Sequence, residues 1–128
     1  MDGCVFCKIA TGELPCYKIY EDNSFLGFLD ITPRTLGHSL IIPKKHYQWV
    51  YDVENFDEFW LAALKVTKAI KKALDPFFIT YVTHGLEIPH AHIHIMPRKS
   101  SDSTFVPAPI SIEREKMEEM ANLIQKAV

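Results

Sequence analysis

The sequence has no long apolar run and no excess of positive charge. No stretch approaches the roughly 20 consecutive apolar residues that a membrane-spanning helix needs, and the N-terminus lacks the basic and apolar segments of a signal peptide. The net charge is −2, which argues against a protein that binds the phosphate backbone of nucleic acid. We therefore expect a soluble, cytoplasmic protein with neither nucleic acid nor membrane as a partner.

Cysteine is also scarce, and the signatures of several common enzyme classes are missing. Three cysteines, an odd number, do not suggest a disulfide framework. There is no P-loop, no His-Glu-x-x-His motif, no Gly-x-Ser-x-Gly motif and no dinucleotide-binding fingerprint. The 128 residues suit one domain, with its motifs in residues 1–98, a polar, proline-broken loop at 99–110 and a C-terminal helix at 111–128.

Three histidines alternate with apolar residues between Pro89 and Arg98. His90, His92 and His94 are separated by Ala91 and an isoleucine, and this period of two predicts a strand with one face buried in a core. Neighbouring histidines on such a face lie about 6.5–7 Å apart. Three imidazoles that titrate near neutral pH favour an active site over a solvent-covered surface.

The spacing also bears on whether the histidines hold a metal. His90 and His94 are separated by about 13 Å of strand rise, whereas zinc–nitrogen bonds are about 2.0–2.1 Å long. One ion therefore cannot easily bind all three, although a neighbouring pair could chelate it. The residues alone leave open both a nucleophilic histidine and a metal-dependent hydrolase.

The segment His90–Met96 resembles a known signature. It matches the His-φ-His-φ-His-φ-φ motif, where φ is hydrophobic, of the histidine triad nucleotide hydrolases and transferases. The similarity also covers four upstream blocks, in the family's order: Cys4–Ile9, Tyr20–Asp22, Phe28–Ile31 and Gly37–His46. Together the blocks span about three quarters of the chain.

The resemblance implies a hydrolase or transferase that acts at the α-phosphorus of purine nucleotide conjugates, such as nucleoside phosphoramidates or related AMP conjugates. His92 would attack and form a covalent nucleotidyl-histidine, which water then resolves. His94 and His38 would bind the non-bridging oxygens, and His90 would support His92 from behind. Dinucleoside polyphosphates are an alternative substrate, and members of this branch are commonly homodimers.

The resemblance also implies a nucleotide pocket around Asp30. Asp30 would bind the ribose hydroxyls, because a carboxylate accepts two hydrogen bonds, and Phe28, Leu29 and Ile31 would hold the base. Without the resemblance, Asp30 would be interpreted as a turn or cap residue ahead of Thr32.

The loop before the triad departs from the commoner family pattern, because it is short and lacks the usual asparagine, glutamine and serine. Glu87 stands three residues before His90, where a hydroxyl often contacts the leaving group. A carboxylate there could donate a proton, could repel polyphosphate, or could simply be a solvated loop residue, and His84 is equally open. A nucleotide-binding protein without turnover therefore remains an alternative.

Cys4 and Cys7 form a Cys-x2-Cys pair, which by itself is weak evidence for a metal. Two reduced cytosolic thiols are the simpler explanation. The resemblance adds His46 and His90, which would complete a Cys2His2 set for zinc. A closed shell of four protein ligands would make that ion structural.

The remaining pattern predicts an α+β fold, an antiparallel sheet of about five strands with one long helix and a C-terminal helix. Besides the histidine segment, strands are expected at 17–21, 24–31, 38–43 and 77–83. A short helix should precede Gly12. The long helix should span Asn55–Leu74 with a capping box between Asn55 and Glu58, and the last should span Ile112–Ala127. Phe105 and Val106, in the loop before that helix, could fold back over the site.

Overall fold

The expected α+β architecture is confirmed in the computed structural model, which describes residues 3–128. The five strands are β1 (Lys18–Glu21), β2 (Phe25–Leu29), β3 (Ser39–Pro43), β4 (Phe78–Val82) and β5 (Ile93–Arg98). They form one sheet in the order β1-β2-β3-β5-β4, and every neighbouring pair is antiparallel. The helices are α1 (Val5–Ala10), α2 (Phe56–Leu74) and α3 (Arg114–Ala127), with a 3-10 turn at Val50–Asp52.

Side-chain alternation along the strands separates two apolar layers. Ile41, Ile93 and Ile95 lie on one face of the sheet and pack against α2 and α3. On the other face Leu40 packs against Phe6 of α1. The second face is the one that carries the site.

The long helix buries the face that its periodicity predicts. Phe59 is fully buried and stacks on Phe25 of β2 with 5.3 Å between ring centroids. Phe56, three residues earlier on the same face of the helix, is exposed. The helix ends at Asp75, whose φ of 50° is left-handed; the sequence predicts a stop here, since Pro76 cannot continue the helix.

Two helix starts differ from the predictions. The side chain of Asn55 makes no capping bond to the backbone; its amide donates instead to the carboxylate of Glu58 at 3.0 Å. Helix α3 begins at Arg114 with Glu113 at its N-cap, so the prediction of a helix from Ile112 is wrong by two residues.

The strand that carries the histidines is shorter than predicted. It begins at Ile93, because the preceding backbone bonds elsewhere: the amide of His90 donates to the carbonyl of Ile88 at 2.8 Å, and the amide of Ala91 to Tyr47 at 2.6 Å. The three histidines therefore do not share one regular strand face. The apolar half of the pattern is correct, since Ala91 and the two isoleucines are all buried in the core beside α2.

Buried Arg98 holds the loop that follows β5. Its guanidinium donates to the hydroxyl of Thr80, to the carbonyls of Thr104 and Phe105, and to the carboxylate of Asp102. These bonds fix the loop beside β4. Within residues 3–128, no helix has both the length and the apolar character required to traverse a membrane.

Candidate active site and metal-binding cluster

A cavity of about 430 Å³ opens on the sheet face that carries α1. Its floor is a row of cross-strand neighbours, because Phe28 of β2 pairs with Leu40 of β3, and Leu40 pairs with His94 of β5. Its size lies in the range of small-molecule sites. A larger depression of about 770 Å³ lies beside Arg98 and Asp75, but none of the histidines lines it, so the smaller cavity is the candidate site.

All five residues predicted to contact substrate line this cavity: Phe28, Leu29, Asp30, Ile31 and Glu87. Ile31 is 77% exposed. Phe105, in contrast, is 95% exposed and does not line the cavity, so the suggestion that it folds over the site is wrong.

Helix α1 provides a wall that the sequence interpretation missed. Val5, Phe6 and Ile9 line the cavity, and Cys16, which follows α1 in the chain, lines it as well. The i, i+4 spacing of Val5 and Ile9 was the available signal.

The geometry around His92 fixes its protonation state. Nδ1 of His92 lies 2.7 Å from the backbone carbonyl of His90. A carbonyl can only accept, so Nδ1 carries the proton and Nε2 keeps its lone pair. Burial lowers the pKa of His92 below 6.5, although its hydrogen bond to His90 raises it. The ring is therefore neutral at neutral pH, with one nitrogen free to attack.

A second chain of hydrogen bonds sets the tautomer of His94. The backbone N–H of Arg34 donates to Nδ1 of His38 at 3.0 Å, so the proton of His38 is on Nε2. That N–H donates to Nδ1 of His94 at 2.9 Å, which leaves the proton of His94 on its Nε2. Burial lowers the pKa of both histidines to about 4, so both are neutral. His94 lines the cavity, whereas His38 is 1% exposed and lies behind it.

Asp30 follows β2 and combines two arrangements. One carboxylate oxygen accepts from the backbone N–H and the hydroxyl of Thr32, at 2.9 and 3.0 Å. The other lies 3.5 Å from His38 Nε2 and 3.8 Å from His94 Nδ1. The first oxygen serves the turn, and the second is left beside the histidines and the cavity.

Asp30, His38 and His94 bring three potential metal ligands within 4.8 Å of one another. If Nε2 of His38 bound a metal, the proton would have to move to Nδ1, where it would face the N–H of Arg34 at 3.0 Å. The arrangement therefore fits a hydrogen-bond chain better than a metal site.

Cys4, Cys7, His46 and His90 form a separate cluster, with one ligand atom of each within 4.8 Å of the others. Nδ1 of His90 is 3.3 Å from Sγ of Cys4 and 3.4 Å from Sγ of Cys7, and Nδ1 of His46 is 3.2 Å from Cys7. Zinc bonds of about 2.0–2.3 Å in a tetrahedron place ligand atoms about 3.3–3.8 Å apart, so the donor set could hold a metal ion.

The second nitrogen of His90 also suits metal binding. Nε2 of His90 lies 2.8 Å from the carbonyl of Pro43, to which it donates. This leaves Nδ1 unprotonated and facing the cysteines, as in metal sites where a histidine ligand donates its other N–H to a carbonyl.

The comparisons with known proteins agree with this arrangement. A family model described as the HIT domain matches residues 11–101, so the chain belongs to the HIT family. It is 36% identical over 109 residues to the adenosine 5′-monophosphoramidase HNT1 of Saccharomyces cerevisiae, covering 80% of this chain and 67% of that protein. It is 38% identical over 135 residues to the adenylylsulfatase HINT3 of Arabidopsis thaliana, covering 98% and 67%.

One of the similar solved structures is a zinc-bound protein. A zinc-bound histidine triad family protein from Mycobacterium smegmatis superposes with a TM-score of 0.79 at 32% identity, covering 98% of this chain and 93% of that one.

Proposed function

We propose that this protein is a nucleotide hydrolase or transferase that cleaves AMP conjugates at the α-phosphorus through a covalent nucleotidyl-histidine on His92. The observation that carries the proposal is the hydrogen bond from Nδ1 of His92 to the carbonyl of His90, because it leaves Nε2 unprotonated on a residue of the cavity wall. A phosphoramidase and an adenylylsulfatase among the relatives support the same reaction class.

In the proposed first step, Nε2 of His92 attacks phosphorus as the bond to the leaving group breaks. Nε2–H of His94 donates to a non-bridging oxygen, where negative charge grows in the transition state. His38 acts through His94 by holding its tautomer. In the second step water attacks the phosphorus, loses a proton and releases His92.

The nucleoside would lie along the apolar walls. The base would contact Phe28 and Ile31, beside Phe6 of α1. The ribose hydroxyls would donate to the oxygen of Asp30 that Thr32 does not use.

We propose zinc as the metal of the Cys4, Cys7, His46 and His90 cluster. Four protein ligands would close the coordination shell, so the ion would be structural and would take no substrate. It would tie α1 to the segments that precede β5 and follow β3.

We also propose a homodimer. Within residues 3–128, strand β4 pairs with β5 alone and is an edge of the sheet, and it exposes Phe78 and Tyr81. An unpaired edge with apolar side chains is a surface on which a second copy can pair about a two-fold axis. Light scattering after size exclusion should give twice the mass of the chain, and a monomeric mass at micromolar concentration would contradict the dimer.

The reaction is tested by intact-protein mass spectrometry after rapid quench with adenosine 5′-phosphoramidate, on wild type and His92→Ala. We expect an adenylyl adduct on wild type, and neither adduct nor AMP release in the variant. AMP release that survives in His92→Ala would overturn the covalent mechanism in favour of a metal-dependent hydrolase. Binding of AMP without turnover of any AMP conjugate in wild type would indicate a nucleotide-binding protein.

A further inference from the structure

The charges around the cavity are all of one sign. Among the described residues that line it are two carboxylates, Asp30 and Glu87, and no lysine or arginine. Three histidines, His84, His92 and His94, also line it, and the ring centroid of His84 lies 6.5 Å from that of His92. The lining therefore offers imidazole hydrogen bonds to a phosphoryl group but no lysine or arginine for further phosphates.

Of the two carboxylates, Glu87 is the one that remains available to contact the leaving group. Asp30 is already engaged by Thr32 and lies beside His38. Glu87 is exposed in the loop between β4 and β5 and forms no ion pair within residues 3–128. It lines the same cavity as His92 and His94.

The position of the 84–88 loop determines which part of the substrate lies near the Glu87 carboxylate. In-line attack by His92 places the leaving group on the far side of phosphorus from Nε2. With the nucleoside along the apolar wall of α1 and β2, as proposed above, the remaining exit would pass the 84–88 loop, whose residues His84, Glu87 and Ile88 line the cavity. Ile88 packs against the core beneath α1 and anchors Glu87 at that exit.

We infer that Glu87 determines leaving-group specificity, by favouring nucleotide conjugates whose leaving group carries a positive charge over those with an anionic one. The inference rests on the proposed function. The substrate class expected of the protein is then a nucleoside phosphoramidate of a diamine or of a basic side chain. A polyphosphate leaving group would bring several negative charges to a carboxylate with no lysine or arginine beside it among the described lining residues.

The chemistry of such a conjugate balances without a further reagent. The P–N bond breaks, the nitrogen keeps the electron pair and takes one proton from water, and it leaves as an amine. The distal ammonium group of the leaving amine takes no part in bond breaking. It stays beside Glu87 in the ground state and in the transition state, so the effect falls on kcat/KM.

The experiment compares three adenosine 5′-phosphoramidates of similar size, made from ethylenediamine, propylamine and β-alanine. Their distal groups are cationic, neutral and anionic. The measured quantity is the ratio of kcat/KM for the cationic conjugate to that for the anionic one, in wild type, Glu87→Gln and Glu87→Lys. Any general loss of activity cancels in this ratio.

We expect wild type to prefer the cationic conjugate and Glu87→Gln to lower the ratio by about 3- to 20-fold, the size of an exposed charge–charge effect of opposite signs on two substrates. Glu87→Lys should invert the preference. The control is Glu115→Gln, the same change at an exposed position of α3 away from the cavity, which should leave the ratio unchanged. The wild-type ratio should also shrink as NaCl is raised.

A ratio that stays the same in Glu87→Gln and does not respond to salt in wild type would overturn the inference while leaving the proposed function intact. Should wild type cleave none of the three conjugates and form no adduct, the proposed function itself fails, and the inference with it. If Glu87→Gln does not fold, the salt dependence of wild type and the Glu87→Lys ratio still decide.

Discussion

His90 connects the metal-binding cluster to His92. Its ring nitrogen Nδ1 faces Cys4 and Cys7 at 3.3 and 3.4 Å, while its backbone carbonyl accepts from Nδ1 of His92 at 2.7 Å. One residue therefore supplies both a ring nitrogen to the metal-binding cluster and the backbone acceptor that fixes the tautomer of His92. Phe6 packs edge-on against both rings, with centroids 6.0 and 5.2 Å away, so the two sites share one packed unit.

Loss of a thiol ligand should affect both metal content and stability. We expect Cys7→Ser to lose bound zinc and to lower Tm by about 5 °C or more, because metal binding contributes directly to folding free energy. Elemental analysis and thermal denaturation measure the two effects. Cys16→Ser is the matched control, since Cys16 lies outside the cluster; equal zinc content in both variants would contradict the ligand assignment.

His38 should matter only through His94. We expect His38→Ala to lower kcat by about 10- to 100-fold, because His94 loses the N–H that fixes its tautomer. The double variant with His94→Ala should then be no slower than His94→Ala alone. Additive losses in kcat would show that His38 contacts substrate directly.

The buried histidines predict a stability that falls with acid. The folded pKa of His38 is lowered to about 4 from 6.5, so between these values the unfolded chain binds more protons than the native protein. The free energy of unfolding should be fully retained above pH 6.5 and decline as pH falls towards 4. Chemical denaturation at several pH values should show a shallower decline in His38→Gln than in wild type, and parallel curves would rule out His38 as a source.

Substitutions at two exposed apolar residues should distinguish an effect on substrate binding from an effect on stability. Ile31→Ala should raise KM for AMP conjugates several-fold with little change in Tm, because Ile31 lines the cavity yet is 77% exposed. Phe105→Ala is the control and should alter neither, since Phe105 is 95% exposed and outside the cavity. A drop in Tm without a change in KM for Ile31→Ala would place the residue in the fold and not in the binding surface.

Truncation of a buried core residue should, in contrast, lower the free energy of unfolding strongly. Phe59 is fully buried against Phe25, so Phe59→Ala should lower the free energy of unfolding by about 3–5 kcal/mol. Urea denaturation measures it. Leu61→Ala, on the exposed side of the same helix, should cost much less, and similar losses for both would mean that α2 packs differently.

The fold could be predicted because it depends on local periodicity. Alternation along the strands and the three- and four-residue steps of α2 are properties of neighbouring residues, and the alternation correctly placed Ile93 and Ile95 in the core. The helix ends were less predictable. Asn55 is a good cap by residue type, but whether a side chain bonds the backbone depends on geometry that composition does not contain.

By itself, the sequence determined the sheet and the long helix, and its resemblance to a family supplied the histidines and cysteines to examine. Only the tertiary structure decided which of these residues lie at the cavity and which form the metal-binding cluster. His90 turns its ring to cysteines more than eighty positions away along the chain, His38 comes to lie behind His94, and α1 becomes a wall of the cavity. Such contacts join distant segments, and their hydrogen-bond directions set the tautomers. Periodicity records which face a residue occupies, whereas chemistry depends on which atom it meets there.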